Sequence, residues 1–363
     1  MEEIQCICLK SFGGLSSIQV SHEIYLSLKV ETREFNALLA DDEVIVRVEA
    51  CGVNFADIYT RLGLMPDISL PTVIGLEASG VIEAVGPRVL DLKVGDRVLI
   101  HTGNHGLFQE KLKVQSRFCT VLPPGIGLQE ALVLCINYLT AYFSLLKVGN
   151  LREGESVLIT SAGGGVGIAA VQLARTVKNV NIAGISSIHK HDFLKEMGVK
   201  QCVSASQDFN ETVNALNAIK PNGFDLILDT YGGEASSMLH RLLKPLGRRI
   251  IIGASSFIIS NSIDKDALTK TSGSIQIIQL IMENTGVHGF NLTTLLDKSP
   301  SEYKKAMDFL INLYKQQKIV PIIDSVFTFN EVTEAQKRLT DRQNIGKIIL
   351  VPNKLQLAKI INI

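Results

Sequence analysis

One stretch, residues 157–175 with the sequence VLITSAGGGVGIAAVQLAR, restricts the fold of this chain more than any other. It contains an apolar strand, a glycine turn and a helix with small residues on one face. Such a turn lets the backbone approach a pyrophosphate, and the helix N-terminus offers it unpaired N–H groups. Alanine replaces the first glycine of the G-x-G-x-x-G spacing, which is tolerated if that residue has a negative φ. Unless this is merely a tight turn in a packed sheet, a dinucleotide site is predicted at Ala162, Gly163, Gly164, Gly165, Val166 and Gly167.

Residue patterns on either side of this turn predict two kinds of architecture. Segments 43–50, 80–85 and 96–100 alternate apolar and polar residues, which indicates an antiparallel β module. After Pro123 the pattern changes to helices and strands in alternation. The predicted helices are 129–147, 165–178, 190–197 and 234–243, and the predicted strands are 155–160, 180–185, 224–229 and 248–252. This order is typical of an α/β fold with a doubly wound parallel sheet.

The 363 residues are enough for two domains of about 150 residues each. The last predicted elements no longer alternate in the same way, and we expect them to return to the first domain. They are helix 301–317, helix 331–340 and strand 346–351, and they follow a predicted strand 287–292. The predicted domains are therefore 1–127 together with 297–363, and 128–296.

Composition narrows the class of function. Lys plus Arg equals Asp plus Glu at 36 each, so no overall positive charge favours nucleic acid as a partner. The six cysteines are scattered through apolar sequence, and the start MEEIQCICLK has acidic residues where a signal peptide needs basic ones. The uncharged run 131–146 is too short for a transmembrane helix, and the uncharged run 156–174 is interrupted by glycines, so neither is typical of one. We expect a reduced, cytoplasmic protein.

The segment ISSIHKHD, at the end of the predicted strand 180–185 that follows the glycine turn, bears on the choice of dinucleotide. An NAD site places Asp or Glu about 20 residues past the turn to accept from the ribose hydroxyls. Here Ser187 and Lys190 offer a hydroxyl and a cation, which suit a 2′-phosphate and favour NADPH. Asp192 would reverse this prediction if the turn were longer, and a solvated basic turn is the other alternative.

Several segments, in order, resemble the medium-chain dehydrogenase/reductase superfamily in its zinc-free quinone oxidoreductase branch. They are CGVNFADIYTRLG (51–63), PTVIGLEASGVIEAVG (71–86), KVGDRVL (93–99), NYLTAY (137–142), the AGGGVG turn and GKIILVP (346–352). Within that branch the chain is most similar to the vesicle amine transport protein family, the synaptic vesicle membrane protein homologues. The segments that carry this are NYLTAY, RTVKNV (175–180), HGFNL (288–292) and VPIIDSVFTF (320–329).

The resemblance implies a β-rich GroES-like catalytic domain from both chain ends and a Rossmann domain between them. It also implies further cofactor contacts from Asn54, Thr140, Gly253, Phe290 and Lys347.

Zinc-dependent relatives hold a catalytic metal with two cysteines and a histidine. The resemblance places Asn54, Leu76 and Ile136 at those positions, and an apolar Leu or Ile cannot ligate zinc. His101 and His105 lie on a glycine-rich loop without an evident third ligand. We therefore expect no metal.

Without zinc, little remains to activate an alcohol, whereas hydride transfer from NADPH to a quinone or an α,β-unsaturated carbonyl needs positioning and a hydrogen-bond donor. Asn54 and Tyr59 are the candidate catalytic donors. The alternatives are a turn-stabilising amide and a half-buried tyrosine, and Asp57 is expected to pair with Arg61 four residues on. Quinone-reducing relatives often carry a tyrosine where this chain has Leu64-Met65-Pro66, so the activity could be weak.

Two apolar segments suggest partners besides a small substrate. Residues 272–282 suit a core helix, a dimer-facing strand or a surface for phospholipid, and the C-terminal LQLAKIINI is a second apolar element. The predicted strand 287–292 is expected to form a sheet edge and to pair with its copy in a homodimer. The alternative function is an NADPH-binding protein that contacts membranes peripherally or handles lipid, with little or no reductase activity.

Overall fold

A computed structural model of the chain describes residues 2–15, 18–20, 23–25, 27–65, 67–206, 208–259, 262–263, 277–353 and 358. The strands, in chain order, are β1 Glu2–Leu9, β2 Ile18–Val20, β3 Glu23–Tyr25, β4 Leu28–Phe35, β5 Glu43–Val53, β6 Thr72–Val73, β7 Glu77–Val85, β8 Arg97–His101, β9 Lys111–Gln115, β10 Cys119–Val121, β11 Ser156–Ile159, β12 Asn181–Ile185, β13 Gln201–Val203, β14 Phe224–Asp229, β15 Leu243–Ile251, β16 Ile258–Ile259, β17 Ser262–Ile263, β18 Gly286–Gly289, β19 Ile323–Thr328 and β20 Lys347–Val351.

The α-helices, in chain order, are α1 Phe55–Arg61, α2 Leu128–Val133, α3 Leu139–Tyr142, α4 Gly165–Arg175, α5 His191–Glu196, α6 Phe209–Ile219, α7 Gly233–His240, α8 Ile277–Glu283, α9 Leu292–Lys298, α10 Pro300–Lys315 and α11 Val332–Thr340. Wider π-type turns, Leu134–Tyr138 and Phe143–Val148, extend α2 and α3 into one helical stretch that kinks at Cys135. This stretch, 128–148, is long and apolar enough to cross a membrane by length and composition. Its apolar window is 78% buried, which is typical of a core helix.

The middle of the chain forms a parallel sheet with the strand order β13-β12-β11-β14-β15-β18. Numbered from β11, this is the order 3-2-1-4-5-6 of a doubly wound sheet, and it reverses between β11 and β14. Apolar residues of the strands and of α6 and α7 form its core, among them Leu158, Ile185, Leu216, Phe224, Ile227 and Leu239. The predicted parallel sheet is confirmed.

The two ends of the chain form a β-rich unit. Its larger sheet has the order β10-β8-β7-β5-β20-β19, with β9 also on β5, and a smaller sheet has the order β4-β1-β6. The C-terminal strand β20 pairs with the end of β5, Ile349 opposite Gly52. The helix α11 and the strands β19 and β20 therefore belong to this unit.

The two compact units divide at different residues from those predicted. They comprise 1–136 with 322–363, and 137–321, instead of a division after 127 and before 297. Residues 297–321 stay with the parallel-sheet unit because α10 packs on α3, where Phe309 contacts Tyr142 with ring centroids 5.2 Å apart.

Some elements have patterns too weak to predict. The strand β13 and the helix α6 complete one half of the parallel sheet, but α6 buries only Thr212, Val213 and Leu216, so its apolar stripe is faint. Its start is nevertheless capped, because the Asp208 carboxylate accepts from the Asn210 N–H.

Helix α1 buries an acidic side chain. Asp57 is fully buried, and its Oδ2 accepts from the backbone N–H of Asn54 at 2.8 Å while its Oδ1 lacks a described partner. Burial raises the pKa of Asp57 to about 7, against the lowering effect of the Asn54 N–H and of the Lys347 charge. The folded chain therefore holds this proton more tightly than the unfolded chain does.

The variant Asp57→Asn should remove a pH dependence of stability. Below about pH 4 Asp57 is protonated in both states, and as the pH rises towards 7 only the unfolded chain loses the proton, which destabilises the fold by roughly 3–4 kcal/mol. The unfolding free energies of wild type and variant are measured from pH 4 to pH 8. The variant should gain stability relative to the wild type as the pH rises to 7, and the difference should stay constant above pH 7. Two parallel curves would contradict the raised pKa.

Candidate functional site

Most residues predicted for cofactor binding in the parallel-sheet unit follow the carboxyl ends of its strands. The glycine turn follows β11, Ser187 follows β12, Gly253 follows β15 and Phe290 follows β18. Since the carboxyl ends of parallel strands meet at one edge, these residues share the edge at which doubly wound sheets bind ligands. The strand order reverses beside the glycine turn, between β11 and β14.

The glycine turn has the geometry of a phosphate-binding loop. The positive φ in it belongs to Ser161, at 49°, and the φ of Ala162 is not positive, so alanine carries no strain there. Gly164 is the N-cap residue of α4 and has no side chain to cap the first N–H groups. A Cβ on Gly167 would lie 2.6 Å from the Ala162 carbonyl oxygen, so this glycine allows the helix to pack closely on the turn.

Hydroxyl groups join the two central strands where they diverge. The Thr160 hydroxyl donates to the Leu228 carbonyl at 3.0 Å and lies 2.9 Å from the Thr230 hydroxyl, which lies 2.9 Å from that of Ser161. A Cβ on Gly253 would lie 2.8 Å from the Thr230 carbonyl oxygen. The carboxyl ends of β11, β14 and β15 are thus held together beneath the turn.

Lys190 lies across the glycine turn. Its side chain is 4% exposed, and a Cβ on Gly163 would lie 2.6 Å from Lys190 Cδ. Ser187 is half-buried and begins the short helical turn that carries Lys190. Asp192 does not face this group, since its side chain is 92% exposed and pairs with Lys195 at 3.2 Å. The cation lies beside the turn, and the carboxylate that would have suited NAD points away.

Asn137 completes the surroundings of the turn. It is 4% exposed, and its Nδ2 has no hydrogen-bond partner in the described part of the chain. Its amide group occupies the space that a side chain on Gly165 would take. The predicted Thr140 lies three residues further on and is half-buried. An orphaned buried donor, open helix N–H groups and a nearby cation all fit the phosphates of a dinucleotide.

Phe290 packs inside its own unit. Its ring stacks on Phe143 with centroids 5.5 Å apart, and its N–H donates to the Ile251 carbonyl at 3.0 Å. The edge strand ends at Gly289, before Phe290, instead of running to residue 292 as predicted. A charged substitution at Phe290 would therefore disturb the fold of this unit as well as the predicted dimer contact of the edge strand.

In the β-rich unit, three strands assemble a buried polar network. Lys347 on β20 contacts Glu77 on β7, and its Nζ donates to Asn54 Oδ1 at 2.7 Å just after β5. Both N–H bonds of the Asn54 amide are engaged, one with Glu77 at 2.8 Å and one with the Gly52 carbonyl at 3.1 Å. A side chain on Gly52 would collide with both Glu77 and Lys347. Lys347 is 1% exposed in this arrangement.

The other residues of α1 differ from one another in setting. Tyr59 is half-buried, with its ring 6.1 Å from that of Phe55 on the more open side of the helix. The predicted pair of Asp57 with Arg61 is wrong. Arg61 is fully buried and donates instead to Gln336 Oε1 at 2.8 Å and to the Gly13 carbonyl at 2.6 Å.

The two loop histidines are packed as protein contacts. His105 Nε2 lies 2.8 Å from the Thr60 hydroxyl, and burial lowers the pKa of His105 to about 4. His101 is 3% exposed. Over the described residues, no three His, Cys, Asp or Glu side chains cluster in a way that would hold a metal ion.

Sequence reasoning missed two polar residues that the structure singles out. Glu77 stands inside a segment used only for the resemblance, although a carboxylate directly after a buried Leu76 was a signal. Asn137 interrupts the apolar run 131–146, and an amide in such a run needs a hydrogen-bonding role.

Comparison with known proteins agrees with this architecture. Residues 40–138 match the family described as alcohol dehydrogenase GroES-like domain, and residues 197–350 match the family described as zinc-binding dehydrogenase. The synaptic vesicle membrane protein VAT-1 homolog of Danio rerio is 39% identical over 357 residues, covering 97% of this chain and 71% of that protein.

Solved structures show the same fold. The human synaptic vesicle membrane protein VAT-1 homolog-like protein is 34% identical with a TM-score of 0.79, over 96% of this chain and 98% of that one. Escherichia coli quinone oxidoreductase complexed with NADPH is 23% identical with a TM-score of 0.81, over 96% and 100%. By these relationships, the chain belongs to the VAT-1 homologue family, within the medium-chain dehydrogenase/reductase superfamily of oxidoreductases.

Proposed function

We propose that this protein is an NADPH-dependent, zinc-independent oxidoreductase that transfers hydride to a quinone or to an α,β-unsaturated carbonyl. The observation that carries the proposal is the glycine turn at the reversal of the parallel sheet, with Lys190 packed over Gly163 and Asp192 turned away. NADPH, when bound, supplies the hydride. The E. coli quinone oxidoreductase with the same fold was solved with NADPH.

The residues of the turn divide the work of binding. The first N–H groups of α4 would donate to a pyrophosphate, and Gly163 and Gly164 would leave room for it beside the backbone. Ser187 and Lys190 supply a donor and a positive charge for a 2′-phosphate, for which charge-assisted hydrogen bonds are favourable. An NADH cofactor would leave the buried Lys190 without that anion.

The variant Lys190→Ala should reduce the preference for NADPH. Loss of one charge-assisted contact costs on the order of 1.5–3 kcal/mol, so the dissociation constant for NADPH should rise about tenfold to a hundredfold while that for NADH changes little. Fluorescence titration with both cofactors measures the ratio. Lys195→Ala, which removes an exposed lysine paired with Asp192, is the control. An unchanged ratio would place the 2′-phosphate elsewhere.

Zinc independence is supported by the network around Asn54. The resemblance places Asn54 and Leu76 at metal-ligand positions, but the Asn54 side-chain oxygen accepts from the Lys347 ammonium at 2.7 Å. Leu76 is apolar and 4% exposed. A divalent cation here would meet one cation already in place and too few ligands.

A reduced quinone or enone develops negative charge on its oxygen, which a protein donor stabilises. Asn54 has both N–H bonds engaged within the protein, so it acts by holding Glu77 and Lys347 in place. Tyr59, half-buried on the open side of α1, is the remaining candidate donor from the sequence analysis.

The variant Tyr59→Phe should lower kcat for quinone or enone reduction by about 100-fold, since it removes one donor to the developing oxyanion. NADPH oxidation followed with a panel of small quinones and enones measures it, and a chelator should leave the wild-type rate unchanged. Tyr314→Phe, a half-buried tyrosine on α10, is the control. Full activity of Tyr59→Phe would show that the donor lies elsewhere, and a wild type that reduces no acceptor would contradict the proposed reaction.

A homodimer is also part of the proposal. In the described part of the chain β18 ends the parallel sheet, and its sequence GVHG has no lysine or proline to block pairing. The helix α8 just before it exposes Ile277, Ile278, Ile281 and Met282, each 61–75% exposed. A second copy would cover both β18 and the exposed side of α8. Residues 272–276 of the apolar segment and most of LQLAKIINI lie outside the described residues. Peripheral contact with phospholipid is the competing use of the same helix.

The variant Ile281→Lys should shift the protein from dimer towards monomer, because a two-fold interface would bring two like charges together. Light scattering at micromolar concentration measures the mass, and Leu90→Lys, a 93% exposed site in the other unit, should leave it unchanged. A monomeric wild type that co-sediments with phospholipid vesicles, and loses this in Ile281→Lys, would instead favour the lipid-handling alternative.

A further inference from the structure

Asn137 is an unusual residue for its surroundings. It lies in a π-type turn two residues past the kink at Cys135, and it is 4% exposed. Its Nδ2 forms no hydrogen bond with any described residue. A buried amide donor without a partner costs about 1–3 kcal/mol, so a residue of this kind is expected to have an acceptor that the protein itself does not supply.

The position of this donor identifies the acceptor. The three atoms nearest to the place of a Gly165 side chain all belong to Asn137: Nδ2, then Cγ at 2.8 Å and Oδ1 at 3.1 Å from a Cβ built there. Gly165 is the first residue of α4, whose initial N–H groups have no side-chain cap. The orphaned donor therefore lies beside the helix end that attracts anions.

We propose that Asn137 Nδ2 donates a hydrogen bond to a phosphate oxygen of the dinucleotide at the start of α4, an assignment that rests on the cofactor site proposed above. The third glycine of the GGG turn then has a definite purpose. Gly165 leaves room for the Asn137 amide, whereas Gly163 leaves room for Lys190. Two parts of the sequence, 28 residues apart, form one donor group.

This pairing makes a double-mutant cycle possible. Asn137→Ala removes the donor, and Gly165→Ala places a methyl group where the amide lies, so it displaces the same donor. Gly165 has no positive φ, which makes alanine acceptable to the backbone there. If the amide is the only group that both changes remove, their effects on binding are strongly non-additive.

The experiment is NADPH titration by fluorescence, with thermal unfolding of each apo variant to confirm its fold. Asn137→Ala and Gly165→Ala should each weaken NADPH binding by about tenfold to a hundredfold, and the double variant should be no weaker than either. Asn137→Asp, which keeps the shape and replaces the donor with a negative charge, should weaken binding further. Lys195→Ala should bind as the wild type does.

Wild-type affinity in Asn137→Ala, or fully additive losses in the cycle, would overturn this role of Asn137 and leave the proposed oxidoreductase intact. A tolerated Asn137→Asp would also overturn it, because packing alone would explain the residue. A wild type that binds no NADPH would overturn the role of Asn137 and the proposed function together.

Discussion

The start of α4, whose first N–H groups are capped by no side chain of the described residues, is the feature on which the rest of the parallel-sheet unit depends. The strand order reverses between β11 and β14, so the edge above β11 stays open where α4 begins. Hydroxyls of Thr160 and Thr230 hold the diverging strands together there. Lys190 from the next strand and Asn137 from the kinked helix reach the same turn, and the glycines leave space for them. The Asn137 Nδ2 has no partner among the described residues, and an unsatisfied buried donor is costly. The proposed dinucleotide would satisfy it.

The β-rich unit depends on a different constraint, the need to satisfy a buried charge pair. Lys347 and Glu77 lose their hydration when β20 closes against β5, and such a pair is stable only if its remaining polar atoms have partners. Asn54 supplies an acceptor for Lys347 and a donor for Glu77, and the Ile136 N–H supplies a second donor to Glu77 at 3.2 Å. This network also explains why Gly52 carries no side chain.

Sequence patterns predicted much of the fold because they are local. The strand–turn–helix around Gly164 and most of the alternating elements were found from periodicity. The change in that pattern did not mark the domain boundary, because the helix α10 stays with the parallel-sheet unit. The faint stripe of α6 was missed. The i,i+4 rule for Asp57 and Arg61 failed because it describes exposed helix faces, whereas this face is buried and Arg61 finds Gln336, 275 residues away in the chain. Glu77 and Asn137 lie in segments that carried the resemblance, but no local pattern marked either residue as part of a site.

By itself the sequence determined the doubly wound sheet, the glycine turn and the basic segment after β12, because each is encoded by neighbouring residues and backbone preferences. Only the tertiary structure decided which donors are already engaged and which are left open. Asn54 appears in a cofactor motif, yet its amide N–H groups are engaged by Glu77 and Gly52. Asn137 appears in an apolar helix, yet its Nδ2, beside Gly165, has no partner among the described residues. Hydrogen-bond satisfaction depends on atoms far apart in the chain, so no local pattern contains it.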